Sequence, residues 1–174
     1  MAPIQCAWLR HLSHHCGRCR EKLALSAKLD CILLIDSRWD DLSESDWNAF
    51  AIAWNSELCG DDASSSIPKL PWLLDDAPST ASEYVVPMNF TASAASQWKF
   101  ILVAYRTGTE DTHRHLAAGP VEHLLGEHGD EFISLFEQLA EEDARFAKML
   151  RNCLQNEMSG EVWRRLCLAR GDGG

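Results

Sequence analysis

The chain has 174 residues, of which 46% are hydrophobic and seven are tryptophan, which predicts a globular fold whose core needs no metal or disulfide. The formal net charge is −10, and because an acidic surface repels phosphates we expect no direct binding of nucleic acid. No segment approaches the roughly 20 apolar residues that span a bilayer. We therefore expect no membrane association.

The cellular compartment is predicted from the cysteines and from the first residues. Seven cysteines are an odd number without the spacing of a secreted disulfide scaffold, which favours reduced thiols and a cytoplasmic location. His, Arg and Cys residues interrupt any apolar core of a signal peptide near the start of the sequence.

Residues 1–31 form a basic segment rich in cysteine and histidine. Five Lys/Arg and two Asp/Glu give it a charge of +3, whereas residues 32–174 have a charge of −13. The pair Cys16 and Cys19, separated by two residues, could share one tetrahedral zinc ion. The further ligands could come from Cys6, His11, His14, His15 and Cys31. A poorly ordered or helical tail without metal is the alternative, and a redox role would require a βα context that is missing here.

Residues 32–170 are predicted to form an acidic, all-helical domain. Its first helix runs from Leu42 to Leu58, because large apolar residues recur there at helical spacing and a capping-box pattern begins at Ser43. A loop-rich insert with four prolines follows at about 59–90. Within this insert, Pro71 could begin a short helix, and Tyr84–Val86 is a candidate strand that Pro87 would end.

Two aromatic residues in predicted loops are candidates for a protein interface. Trp39 is followed by Asp40 and Asp41, and Trp72 is followed shortly by Asp75 and Asp76. An exposed aromatic anchor beside acidic residues would suit an apolar pocket bordered by Arg or Lys. The alternative is that these tryptophans fold back onto the core.

The second half of the chain is predicted to be nearly continuous helix. Apolar stripes at helical spacing occur in four segments. The stripes are Trp98/Ile101/Leu102/Tyr105, Phe132/Leu135/Phe136/Leu139, Phe146/Met149/Leu150/Cys153 and Val162/Trp163/Leu166. The sequence therefore predicts a compact bundle of short helices or of stacked helical hairpins.

The segment 116–133 is predicted to form a tight corner between helices. Gly119-Pro120 is typical of a helix start, and Glu122 would then lie in the first turn, where its charge interacts favourably with the helix dipole. His128-Gly129 is typical of a helix end, with glycine in the left-handed conformation, and Asp130 would cap the next helix. In this interpretation the corner residues serve architecture.

A catalytic alternative exists at the same corner. Glu122 together with His113, His115, His123 and His128 could carry out acid–base chemistry or bind a metal. No nucleophile elbow, His-Glu-x-x-His pattern or phosphate-binding glycine loop accompanies these residues. The structural interpretation is therefore preferred, and no catalytic residue is predicted.

The corner also carries a resemblance to a known family. Residues 117–129 fit the pattern AAGPxExLLxxHG, which resembles an uncharacterised family of small helical domains from bacteria and phages. Trp98, Phe132-Ile133, Asp143-x-x-Phe146 and Val162–Arg165 extend the likeness, which covers about Ile32 to Arg170. The sequence departs from the family pattern at two places. Ala144 stands where members of the family usually have proline, and residues 151–153 stand in place of a motif similar to Gly-Val-Trp. The resemblance implies a helical fold and no particular activity.

Three functions are compatible with these patterns. We expect a non-catalytic acidic protein that binds a basic protein partner, such as a small inhibitor, immunity or regulatory factor. The first alternative is a zinc-dependent enzyme or module that uses Cys16/Cys19 or Glu122 with nearby histidines. The second is an inhibitor whose carboxylates imitate nucleic acid.

Overall fold

The computed structural model describes residues 38–61 and 80–172, which all lie within one compact unit. These residues form helices and no strand, so the predicted all-α fold is confirmed. None of the described helices has the length and apolar character needed to cross a membrane. The helices are α1 (Glu44–Leu58), α2 (Ser82–Thr91), α3 (Ala94–Thr107), α4 (Glu110–Leu116), α5 (Glu122–Glu142), α6 (Ala144–Leu150) and α7 (Gly160–Ala169).

Several predictions fall outside the described residues and stay predictions. They concern the basic segment 1–31, with its candidate ligands Cys6, His11, His14, His15, Cys16, Cys19 and Cys31. They also concern the interface candidates Trp72, Asp75 and Asp76, and the short helix at Pro71.

Helix α1 confirms the predicted first helix and its cap. The Ser43 hydroxyl accepts a hydrogen bond from the Asp46 amide, and the Asp46 carboxylate accepts one from the Ser43 amide. On its buried face, Phe50 lies 5.0 Å between ring centroids from Phe100 of α3. This contact is part of an aromatic cluster that also contains Trp39, Trp47, Trp54 and Tyr84.

The candidate strand at Tyr84–Val86 is wrong, because these residues belong to helix α2. The start of α2 has no side-chain cap of its own. Instead, a carboxylate oxygen of Glu57 on α1 accepts hydrogen bonds from the amides of Ala81 and Ser82, at 2.6 and 3.2 Å. Pro87 stays inside the helix at the cost of one backbone hydrogen bond. A contact from a distant helix thus outweighs the local strand preference.

Trp39 is a core residue, so its predicted role as an exposed interface anchor is wrong. It is fully buried, and its indole Nε1 donates a hydrogen bond to the Thr91 hydroxyl at 2.8 Å. The neighbouring Asp40 carboxylate accepts hydrogen bonds from the hydroxyls of Ser93 and Ser96. Asp41 is exposed. This tryptophan therefore ties the chain before α1 to the end of α2.

A second aromatic cluster joins α3, α5 and α6. Trp98 lies 4.8 Å from Phe136, and Tyr105 lies 5.0 Å edge-to-face from Phe146, both between ring centroids. The predicted apolar stripes lie on the helix faces that pack into the core, but not every predicted position is buried, since Leu135 is 40% exposed. Ile133 of the same helix is buried and was absent from the predicted stripe.

Gly119-Pro120 does not begin a helix, which corrects the prediction made from this pair. The chain passes from α4 through one π-helical turn, Ala117–Val121, directly into α5. Pro120 has no amide to donate and its ring clashes with the carbonyl four residues earlier, which favours the wider turn. The Glu122 amide accordingly donates to the Ala117 carbonyl, five residues back.

His128-Gly129 bends the chain and does not end the helix, which corrects a second prediction. His128 has φ −129° and ψ 23°, outside the helical region, yet α5 continues to Glu142 with Asp130 inside it. Gly129 does not take the left-handed conformation, which among the described glycines only Gly60 and Gly171 adopt. Glycine is required at 129 for space, because a β-carbon there would lie 2.8 Å from two carbons of Val162 on α7.

Candidate functional site

A cleft of about 330 Å³ lies against the π-helical turn, and we call it the π-turn cleft. Three parts of the chain form it: one face of α2, the π turn with the first turns of α5, and the loop before α7. Its lining residues are Val86, Asn89, Phe90, Ala118, Gly119, Glu122, His123, Gly126, Asn156 and Glu157. A β-carbon at Gly119 would meet no atom within 4 Å, so this part of the turn opens onto free space.

The α2 side of the cleft is apolar and exposed. Val86 and Phe90 are 59% and 63% exposed and lie four residues apart, on the same face of a helix whose other face is in the core. The Phe90 ring lies 4.5 Å from the His123 ring between centroids, in an edge-to-face arrangement. Phe90 thereby covers the imidazole while leaving most of its own surface in water.

Buried polar atoms without a hydrogen-bond partner concentrate at this cleft. Among the described residues, five side-chain polar atoms are buried and unpartnered, and three of these belong to residues of the cleft lining. They are Asn89 Oδ1 and both ring nitrogens of His123. An unpaired buried polar atom costs about 1–3 kcal/mol, so each such atom in a native protein requires an explanation.

The inner wall of the cleft is fixed by Glu122. This residue is 7% exposed, and its Oε1 accepts a hydrogen bond from the Leu154 amide at 2.7 Å. The bond holds the loop between α6 and α7 against α5. The Cys153 thiol donates to the Ala117 carbonyl at 3.4 Å. Burial, together with the Glu122 charge, raises the pKa of Cys153 to about 12, so its thiol stays protonated and poorly nucleophilic.

The acidic side of the cleft is the loop that carries Asn156 and Glu157. Asn156 has a φ of +42°, a left-handed conformation that asparagine tolerates better than most residues. A β-carbon at Gly126 would lie 3.4 Å from the Glu157 β-carbon, so the loop packs closely on α5. Glu157 is exposed, and its carboxylate makes no ion pair with a described residue. The cleft therefore presents a free negative charge next to an apolar wall.

The predicted corner residues are only partly brought together. Gly119 and Glu122 line the π-turn cleft, and Pro120 is buried behind it. His128 and Gly129 lie at the bend in α5, beside a separate small pocket.

The histidines proposed for catalysis do not share one site. His123 lines the π-turn cleft, whereas His113 lines a different cleft and has its Nε2 3.0 Å from the Tyr105 carbonyl. His115 is exposed on α4. Within the described ranges, no three His, Cys, Asp or Glu side chains are arranged to hold a metal ion.

Several residues of the cleft were not predicted from the sequence. Val86, Asn89 and Phe90 lie in the segment interpreted as a strand and insert, and Asn156 and Glu157 lie in a loop without a motif. One signal could have revealed α2: Val86 and Phe90 are four residues apart and would share a helix face.

The fold and the cleft define a class of protein: an all-helical domain with a π-turn cleft between an exposed apolar helix face and an acidic loop. The chain belongs to the family of unknown function DUF6869, whose model matches residues 74–173. This match confirms the predicted membership in an uncharacterised family. No curated protein and no solved structure matches the chain.

Proposed function

We propose that this protein acts by binding a basic protein partner at the π-turn cleft, as a small cytoplasmic regulatory or inhibitory factor without catalysis of its own. The observation that supports this proposal most directly is the exposed Phe90 and Val86 wall beside the unpaired carboxylate of Glu157. Exposed aromatic residues next to complementary charge are typical of binding surfaces.

The occupant is a segment of the partner with an apolar side chain next to an arginine or a lysine. The apolar side chain packs on Phe90 and Val86 and removes their surface from water. The cationic group pairs with Glu157 at the edge of the cleft.

Charge supports the choice of a basic partner over an acidic one. The chain has a net charge of −10, and a field of this sign increases the association rate of basic proteins and disfavours acidic ones. Glu122 is already engaged by the Leu154 amide, so it serves as a support of the cleft and leaves recognition to Glu157. The binding is therefore expected to weaken as salt is added.

The test compares three variants in affinity capture from lysate of the native host, with recovered proteins identified by mass spectrometry. Phe90→Ser and Glu157→Lys alter the apolar wall and the acidic side of the cleft. Leu168→Ser is the matched control, because Leu168 is 54% exposed on α7 and does not line the cleft. Thermal unfolding of each variant verifies its fold.

We expect at least one basic protein to be recovered with the natural chain and with Leu168→Ser, and lost with both cleft variants. High salt should reduce its recovery as well. The same set of proteins on all four baits would contradict the proposal. A partner that is acidic, or that depends on Leu168 and not on Phe90, would contradict it equally.

A further inference from the structure

A second cleft, of about 580 Å³, lies between α4 and α6 and shares no lining residue with the π-turn cleft. We call it the basic cleft. Four lysine and arginine residues of the described part of the chain line it, namely Arg114, Arg145, Lys148 and Arg151. Among the described residues of this lining, Glu110 is the only carboxylate. In a chain with a net charge of −10, such a concentration of cations in one concave site is unexpected for a surface that serves solubility alone.

The cations of the basic cleft are only loosely held in the free protein. Lys148 Nζ lies 2.6 Å from Glu110, Arg114 pairs with Asp111, and an Arg145 nitrogen is 3.7 Å from Asp143. These three basic side chains are more than 60% exposed, and exposed ion pairs contribute little and are readily exchanged for another anion.

Arg151 differs from the other three because no carboxylate in the described part of the chain pairs with it. Its Nε donates a hydrogen bond to the Arg170 carbonyl at 2.9 Å, which fixes the base of the guanidinium. Its Nη2 lies beside Gly171, 3.4 Å from the place where a β-carbon of that residue would stand. A guanidinium that donates one N–H to a carbonyl keeps its other N–H groups for a further acceptor. These groups match the geometry of phosphate oxygens.

We propose that the basic cleft binds the phosphate groups of a small phosphorylated molecule. Its volume lies within the range of about 300–1,000 Å³ that is typical of small-molecule sites. A cleft lined mainly by one sign of charge raises the local concentration of the opposite ion. A small anion stays inside this field, whereas a nucleic acid would extend onto the acidic surface and be repelled. The cleft therefore selects for small phosphoanions.

The test measures pyrophosphate binding by isothermal titration calorimetry on the full chain. Lys148→Gln and Arg151→Gln each remove one cation from a different part of the lining. Arg164→Gln is the matched control, since Arg164 is 60% exposed on α7, pairs with Glu161 and does not line the cleft. Each substitution changes the net charge equally. We expect about tenfold weaker binding for each cleft variant, as for loss of one charge-assisted hydrogen bond, and no change for the control.

Thermal unfolding without ligand verifies that the variants fold. For the proposal to stand, both cleft variants must bind pyrophosphate more weakly than the natural chain does. Absence of pyrophosphate binding to the natural chain would overturn it. An equal loss in Arg164→Gln would overturn it as well, because it would show attraction by net charge only. Parallel titrations with single-stranded DNA and with a phosphoserine peptide must be weaker than with pyrophosphate. Tighter binding of either would refute a small-molecule site.

Discussion

The close approach of α5 and α7 is possible because glycine at position 129 has no β-carbon, and Gly129→Ala tests this directly. A β-carbon there would lie 2.8 Å from Cγ1 and Cγ2 of Val162, closer than non-bonded carbons approach. Val162 is 2% exposed and β-branched, so it cannot turn into solvent without losing its preferred rotamer. The helices must therefore separate slightly to accept the methyl group.

The expected magnitude follows from two opposing effects. Overpacking of a close contact costs about 1–3 kcal/mol. Replacement of glycine by alanine inside a helix stabilises the folded state by about 0.5–1 kcal/mol. We expect the free energy of unfolding to fall by about 1–2 kcal/mol in Gly129→Ala, although alanine is the better helix former. The loss of two buried methyl groups in Val162→Ala should cost about 2 kcal/mol.

The double variant separates steric conflict from other causes. In Gly129→Ala/Val162→Ala the new methyl group occupies space that the valine has vacated, so the combined loss should be smaller than the sum by about 1 kcal/mol or more. Urea unfolding with an unchanged m-value measures all three free energies. Additive losses, or a Gly129→Ala variant as stable as the natural chain, would refute the explanation.

Two further predictions concern contacts that join distant parts of the chain. Glu57→Gln should lower the free energy of unfolding by about 1–2 kcal/mol, because a neutral amide oxygen is a weaker cap for the start of α2 than the carboxylate. A variant that is as stable as the natural chain in urea unfolding would show that this cap is unimportant. Tyr105→Phe removes the hydrogen bond from the tyrosine hydroxyl to Asp143, 2.7 Å long, which is the main cause of the lowered pKa of that carboxyl. The resulting loss at neutral pH should be about 1 kcal/mol, since Asp143 is partly exposed. A lowered folded-state pKa gives stability that is present above the ordinary value of 3.8 and is lost as the pH falls through the folded-state pKa. The difference between natural chain and variant should therefore shrink in acid, and a pH-independent difference would contradict this assignment.

Local patterns predicted those parts of the fold that local interactions decide. The capping box at Ser43 involves residues three positions apart, and the helix it begins was predicted to within two residues. The spacing of apolar residues predicted an all-helical chain, since this periodicity depends on the burial of one helix face. The break near His128 was also located correctly, although its geometry was not.

The candidate site was predicted only in part. Gly119 and Glu122 stand out as residues of the corner, and both line the π-turn cleft. The apolar wall escaped prediction because Phe90 and Val86 lie in a segment whose β-branched residues and proline favour a strand or loop. The N-cap residue of this helix provides no side-chain cap, and the amides of Ala81 and Ser82 donate instead to the carboxylate of Glu57 on α1.

The sequence by itself thus determined the class of fold, the acidic character of the chain and its family, since composition, periodicity and a contiguous motif are properties of the chain alone. Only the tertiary structure decided that Trp39 is in the core, that Tyr84–Val86 is helical, and that Gly129 is required for its small size. The physical reason is the same in each case. Burial, caps and close approaches involve partners tens of residues away, such as Thr91 for Trp39 and Val162 for Gly129, and these contacts outweigh local preferences.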